Sequence, residues 1–391
     1  MKVVVSYIFI GLCFACSSVD KKSTYEDDLQ FLKDKTPIVE LKLENARLIV
    51  SPRHQGRVLT SSSQGPTGQS YGWFSRKHFT NGTDTINNVG GEDRLWFGPE
   101  YGKFTLFFPP GKEMIGENVR VQSAISTEPY NLIASNNSSV FFEKELQLSN
   151  YSEFNFKILL KREIELLSKS AIKTTLDIDF TDGVSSVGFV SKNTMINKNS
   201  ESWTKETGLL SIWNLGTFPP SDQLIVILPL SSNKGKVTQY WSEVDTSRLK
   251  IRNNTAFYKG DAKNLHKIGI PPSDAKSIFG SYDTKTKVLN IIKYSLSSDS
   301  SYVNSLWDKN ADPYLGDAIN VFNDGTTLDG AGPFGPFYEL ESSSYSSELA
   351  AGDSILHEHF TFHFEGEINQ LDKICQKTLG ISIENISSVF Q

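Results

Sequence analysis

Two stacked antiparallel β-sheets are the architecture this sequence predicts, and three observations carry the prediction. Aromatic residues are plentiful, with 25 phenylalanines, 14 tyrosines and 6 tryptophans against 3 methionines, a composition suited to half-buried pleated surfaces. Short runs alternate apolar and polar residues with the period of a strand. Helical periodicity is sustained in one stretch, Gln370 to Leu379. Turn residues rather than long linkers punctuate the chain, and no internal repeat is visible. These features describe one all-β domain over residues 38–391, with enough chain to bury a substantial core.

The strands follow in order. Val39 to Leu43 alternates cleanly, Glu44-Asn45 turns it, and Ala46 to Val50 runs until Pro52. Gly56 to Ser63 makes a third strand, and Tyr71 to Phe74 an aromatic stop. Phe104 to Phe108 reads as a strand halted by Pro109-Pro110-Gly111. Val140 to Leu148 and Phe154 to Leu167 form a pair around Asn150-Tyr151-Ser152. Leu209 to Trp213, Leu224 to Leu230 and Ser277 to Ser281 follow, and YDTKTK (Tyr282–Lys287) signals a hairpin into Val288 to Leu296. Ala318 to Phe322, Phe337 to Glu341 and Ile355 to Phe364 complete the set.

The amino terminus reads differently. Met1-Lys2, an apolar run from Val3 to Ala15 and then Cys16 make a secretory signal over residues 1–15. The run is shorter than the about 20 residues a membrane-spanning helix needs. A cysteine just after Ala15 resembles a bacterial lipobox, so Cys16 is the expected lipidation site. Cys13 stands where leucine is usual in that motif, and plain secretion is the alternative. Residues 16–37, polar and charged, read as a tether. The expected location is the cell envelope of a Gram-negative bacterium, held to the membrane through the lipid alone. Cleavage before Cys16 leaves Cys375 as the remaining thiol, so no internal disulfide is available, and its apolar surroundings predict burial. The net charge of −6 and pI near 5.6, with no block of lysine or arginine, set nucleic-acid partners aside.

The stretch VGGEDRLWFGPEYG (Val89–Gly102) concentrates Gly-Gly, two acids, an arginine, a tryptophan and Gly-Pro. Extended beyond its glycines, it would point Glu92, Arg94 and Trp96 one way and Asp93, Leu95 and Phe97 the other. An acid, a forked donor and a ring on one face suit a sugar. The competing reading is a structural turn in which Arg94 neutralises its neighbours and Trp96 fills core. Trp73 and Arg57 join the substrate-binding candidates, and Trp307 and Tyr282 are further stacking candidates.

The chain resembles a family of uncharacterised bacterial lipoproteins described as a domain of unknown function. The resemblance rests on GRVLTSSSQGPTGQSYGW (Gly56–Trp73), GGEDRLWFGPE (Gly90–Glu100), YLGDAINVFNDG (Tyr314–Gly325), GPFYELESSS (Gly335–Ser344) and HEHFTFHFEG (His357–Gly366). A looser similarity is to the galactose mutarotase-like (aldose 1-epimerase-like) β-supersandwich. It rests on Gly56-Arg57, the Gly-Gly loop followed by an aromatic and Gly-Pro, and the late turn Leu349-Ala350-Ala351-Gly352. That likeness implies a large antiparallel two-sheet supersandwich and a carbohydrate partner. In mutarotases a histidine acts as acid and a late glutamate as base. This sequence does not reproduce their histidine motif, and fold transfers more safely than activity.

Two constellations could carry chemistry. Glu339 and Glu341 share a strand face, and two acids in one cleft repel, which can keep one protonated at neutral pH. A solvated sheet face is the alternative. His357, His359 and His363 share parity on the last strand. His357 or His359 could be a general acid; ordinary half-exposed strand histidines are the expected reading over a bound metal. The oxygen-rich Gly316–Gly325 run lacks calcium-loop spacing, and Asn323-Asp324-Gly325 reads as a turn. No metal and no cofactor are expected. The functional expectation is a lipid-anchored carbohydrate-active or carbohydrate-binding protein. Glu339 or Glu341 would be its base, His357 or His359 its acid, and Glu92, Arg94 and Trp96 would hold the ring. A non-catalytic envelope protein binding a glycan or protein is the alternative.

Overall fold

The computed structural model describes residues 23–82, 89–326 and 333–391. The signal segment 1–15, Cys16 and the first residues of the expected tether lie outside them. Two β-layers face each other, as the alternation predicts. The larger is a ten-stranded sheet whose centre is built from Val288–Tyr294, Ser354–Glu365, Ser185–Asn197, Asn155–Leu166 and Ser139–Ser149. Opposite lies a six-stranded sheet in the order Thr238–Gln239, His266–Ile270, Ile319–Asn323, Tyr338–Ser343, Ser211–Phe218 and Arg94–Gly98. Arg94–Gly98 borders a three-stranded sheet (Val39–Leu43, Ala46–Ser51, Arg57–Ser62) through one bridge between Val58 and Asp93, so the second layer continues across both.

Alternation decides which side chains meet between the layers. In Ser354–Glu365, Ile355, His357, His359, Thr361 and His363 are buried toward the second layer, while Phe362 and Phe364 pack outward under three helices. Those helices are Lys169–Leu176, Ile368–Leu379 and Ile383–Ser388, and they cover the part of the large sheet's outer face around Phe362, Phe364, Ile291 and Ile227. Cys375 is buried there, and burial pushes its thiol up to about 12. The outer face of the three-stranded sheet is covered by a helix at Tyr25–Lys33, which inserts Tyr25, Leu29 and Leu32 beside Ile49 and Leu59. Of the tether expected over 16–37, the part from Thr24 onward belongs to the fold instead, and the Thr24 side chain caps that helix.

Several strand expectations differ from the structure. Phe104 to Phe108 is an irregular loop rather than a strand, although Phe104, Phe107 and Phe108 are buried. Thr105 Oγ1 donates to the Glu100 carbonyl and accepts from the Phe107 N–H at 3.1 Å, so local side-chain bonding replaces a ladder. Ser185–Asn197 is a central strand that the expected set omits. Its inward positions include Ser191 and Asn193, which blunt the apolar alternation. Thr255–Lys259 and His266–Ile270 were likewise missed. The YDTKTK hairpin forms as expected, with Asp283 opposite Val288 and Lys287 N–H donating to the Asp283 carbonyl at 2.8 Å.

Candidate functional site

The outer face of the six-stranded sheet forms the floor of a hollow of about 380 Å³. Strand register builds it. Arg94 lies opposite Leu215 and Leu215 opposite Glu341, while Lys267 lies opposite Phe322 and Phe322 opposite Glu339. Side chains aligned across neighbouring strands share one face, so residues far apart in sequence converge. The Phe107-Phe108 loop and Trp307 stand over this floor as walls. Four of the chain's six tryptophans (Trp96, Trp213, Trp241, Trp307) line the hollow, a concentration that flat apolar ligand faces would exploit.

The charged groups form a chain of contacts. Arg94 Nη2 donates to Glu339 Oε1 at 3.1 Å, and Thr217 Oγ1 donates to the same oxygen at 3.0 Å. The Arg94 guanidinium also lies 4.0 Å from the Trp96 ring centre. Glu341 Oε2 accepts from Trp213 Nε1 at 2.8 Å and lies 3.7 Å from Lys267 Nζ. Lys267 reaches Glu100 Oε2 at 2.9 Å, and Trp307 Nε1 donates to Glu100 Oε1 at 3.1 Å. Among the described residues, no hydrogen bond reaches Glu341 Oε1 or Glu339 Oε2. Burial pushes the Glu341 carboxyl up, Lys267 opposes that and Glu339 adds to it, and the group titrates at about 7. Burial pulls on Lys267 in the opposite sense, but Glu100 and Glu341 outweigh it and hold the ammonium above its ordinary value. A carboxyl near neutrality inside an aromatic hollow can both take and give a proton at physiological pH.

Of the nine residues expected at the site, Arg94, Trp96, Glu339 and Glu341 line this hollow. The other five do not. Glu92 is buried between the layers, where its carboxylate accepts from Ser61 N–H and Ser61 Oγ and meets His363 Nε2 at 2.9 Å. Its strand begins only at Arg94, so the face-sharing expected of Glu92, Arg94 and Trp96 fails at Glu92. Arg57 is buried and donates to the Gly90 carbonyl at 2.9 Å, holding the Gly-Gly turn. Trp73 packs behind the hollow against Phe337, with ring centres 4.7 Å apart. Tyr282 is buried under the helices on the far face of the large sheet.

His357 and His359 are the clearest correction. Both are 0% exposed, not half-exposed, and both meet Ser342 Oγ, at 2.9 and 2.8 Å. Ser342 points inward from the strand whose Glu339 and Glu341 point outward, so the backbone of the small sheet separates the imidazoles from the acids. Burial, with the neighbouring imidazole adding to it at His357, pulls the two rings down to about 3 and about 4, leaving them neutral at pH 7. Neither position nor charge suits them to be the general acid.

The acidic turn itself splits by role. Asp93 accepts from Arg162 Nη2 at 2.9 Å and Asn214 Nδ2 at 2.7 Å, and from the Ser191 hydroxyl. Arg162 also donates to Asn193 and to the Gly56 carbonyl. Burial pushes Asp93 up, but Arg162 and its other partners prevail, and its carboxyl is held below the usual range. Within the stretch, Glu92 and Asp93 fasten the layers, while Arg94 pairs with Glu339 rather than with its sequence neighbours and lines the hollow with Trp96.

Sequence reasoning missed Lys267, Trp213 and Trp241, and it quoted Glu100 only as part of a motif. Lys267 sits in the ordinary-looking run His266–Ile270 and gains meaning only through its register with Phe322 and Glu339. The abundance of tryptophan was visible in the sequence; its convergence was not.

No curated protein sequence matches the chain. Among solved structures, the Slr1438 protein of Synechocystis sp. PCC 6803 is similar at 10% identity and a TM-score of 0.50, over 85% of this chain and 97% of that one. A galactose mutarotase-like protein from Lactobacillus casei ATCC 334 aligns at 11% identity and a TM-score of 0.49, over 84% and 100% of the respective chains. The likeness to the Synechocystis protein is one of fold. The model of one protein family matches residues 23–390, nearly the whole chain, and the protein therefore belongs to the family of unknown function DUF6786.

Proposed function

We propose that this chain is a lipid-anchored carbohydrate-active protein of the cell envelope that takes a sugar ring in the hollow and moves protons at its anomeric centre. One observation carries the reading: Glu341, titrating near neutrality, lies beside Glu339 and Lys267 in an aromatic-lined hollow. Tryptophan faces can pack on the apolar faces of a pyranose, while fixed charges orient its hydroxyls. Glu341 would remove the proton of the anomeric hydroxyl as the bond between C1 and the ring oxygen breaks. The Lys267 ammonium would supply a proton to that oxygen. Rotation about C1–C2 and reversal of both transfers then close the other anomer. Arg94 holds Glu339 in place as the neighbouring negative charge that keeps Glu341 basic. The amino-terminal signal and Cys16 supply the anchor.

Polarimetry of freshly dissolved aldoses tests the chemistry. The native protein should speed mutarotation well above buffer, and Glu341→Gln should lose at least about 100-fold, the scale of a missing general base. A second reading, binding without catalysis, is favoured by the burial of His357 and His359 behind the sheet. It prevails if native protein and variant both match buffer while calorimetry still detects sugar. The anchor is tested separately: Cys16→Ser should abolish lipid labelling and release the protein from membranes.

A further inference from the structure

The hollow holds an uneven set of charges. Among the described residues lining it, three are acids (Glu100, Glu339, Glu341) and two are bases (Arg94, Lys267). Arg94 is matched to Glu339 at 3.1 Å and Lys267 to Glu100 at 2.9 Å, while Glu341 stands farther from Lys267, at 3.7 Å. Glu341 is therefore the surplus acid, and its side chain is 1% exposed. A buried charge without a full partner is costly, and a ligand bearing the opposite charge relieves that cost.

The free acceptor atoms say where such a ligand would sit. Glu341 Oε1 and Glu339 Oε2 carry no hydrogen bond among the described residues. The two residues project from one strand face about 7 Å apart along the chain. An ammonium offers three donors, enough to engage both oxygens, whereas a hydroxyl offers one. The Trp213 ring, 4.5 Å from Lys267 Nζ, already shows that this wall accepts a cation. Two buried donors without partners among the described residues, Trp96 Nε1 and Arg94 Nε, suit the hydroxyl oxygens of the same ligand.

We propose that the sugar taken by the hollow is an amino sugar with a free ammonium group, seated between Glu339 and Glu341. This rests on the carbohydrate reading above and narrows it to one charge class. An amine on the carbon next to the anomeric centre would bring that centre to Glu341. An N-acetylated sugar lacks the charge, and a uronic acid would add a second unmatched negative group.

Calorimetry on the full mature chain at neutral pH tests this with glucosamine, galactosamine, their N-acetyl forms, the parent hexoses and glucuronate. The amino sugars should bind at least about tenfold tighter than their N-acetyl forms. Glu341→Gln should bring that ratio close to one. In the native protein the ratio should also shrink at about pH 5, where Glu341 holds a proton while Lys267 stays charged; that arm needs no variant to fold. Equal binding of neutral and amino sugars, or tighter binding of glucuronate, overturns the charge assignment and leaves the sugar site standing. Failure of every sugar to bind overturns both.

Discussion

Glu341 and Ser342 are neighbours in sequence, yet they serve opposite faces of one strand. Glu341 looks into the hollow with a carboxyl titrating at about 7, against an ordinary value of 4.5. In the unfolded chain this group loses its proton near 4.5, while the native protein keeps it to about 7. The native state thus binds more protons across that window, and its stability falls as pH rises from about 4.5 to about 7. Urea unfolding of Glu341→Gln should lack this contribution, so the variant should gain on the native protein across the window and run parallel above it. Ser342 looks inward, and its hydroxyl serves both His357 and His359. The Ser342→Ala substitution should cost about 1–3 kcal/mol, because it strands two buried ring nitrogens. Since the hydroxyl lies behind the sheet, sugar affinity should stay within about twofold. A large loss of affinity with unchanged stability would put Ser342 in the hollow instead.

At the scale of elements, the turn leading into Arg94–Gly98 is the joint on which the layers close. Gly91 has φ +107°, and a Cβ there would lie 2.6 Å from the Val58 carbonyl oxygen, so the turn admits glycine alone without movement. Asp93 then meets Arg162 from the large sheet, with both side chains fully buried. Asp93→Ala would leave the Arg162 guanidinium buried without its counter-charge and should destabilise the fold by about 3–5 kcal/mol. A thermal or urea melt that moved by less than about 1 kcal/mol would contradict that role. Legibility in the sequence follows the same division. Strands whose inner face is mostly apolar, such as Asn155–Leu166 with inward Phe156, Ile158, Leu160, Ile164 and Leu166 interrupted by Arg162, were readable from alternation. Ser185–Asn197 was not, because its inward Ser191 and Asn193 belong to the polar cluster around Asp93. Phe104 to Phe108 misled for the opposite reason: its apolar run is the wall of a hollow, which rewards burial without requiring a ladder.

Across the whole molecule, helices cover the part of the large sheet's outer face around Phe362 and Phe364, and Tyr25–Lys33 covers that of the three-stranded sheet, while outward residues of Ser139–Ser149 and Asn155–Leu166 such as Glu145, Lys157 and Lys161 stay exposed. The outer face of the six-stranded sheet is roofed by loops, and beneath them lies the aromatic-lined hollow. Parity within one strand was enough to foresee that Glu339 and Glu341 share a face, and that Arg94 and Trp96 share another. Their meeting with Lys267 and Glu100 depends on pairings between distant segments, which local pattern does not encode. Arg94 and Glu339 are separated by 245 residues in sequence and 3.1 Å in space.

The most direct measurement is a crystal structure of the mature chain soaked with galactosamine or galactose. A pyranose ring should occupy the hollow against the tryptophan walls, with a polar group within about 3 Å of Glu341 Oε1. An unfilled hollow, with sugar bound elsewhere on the protein, would contradict the site.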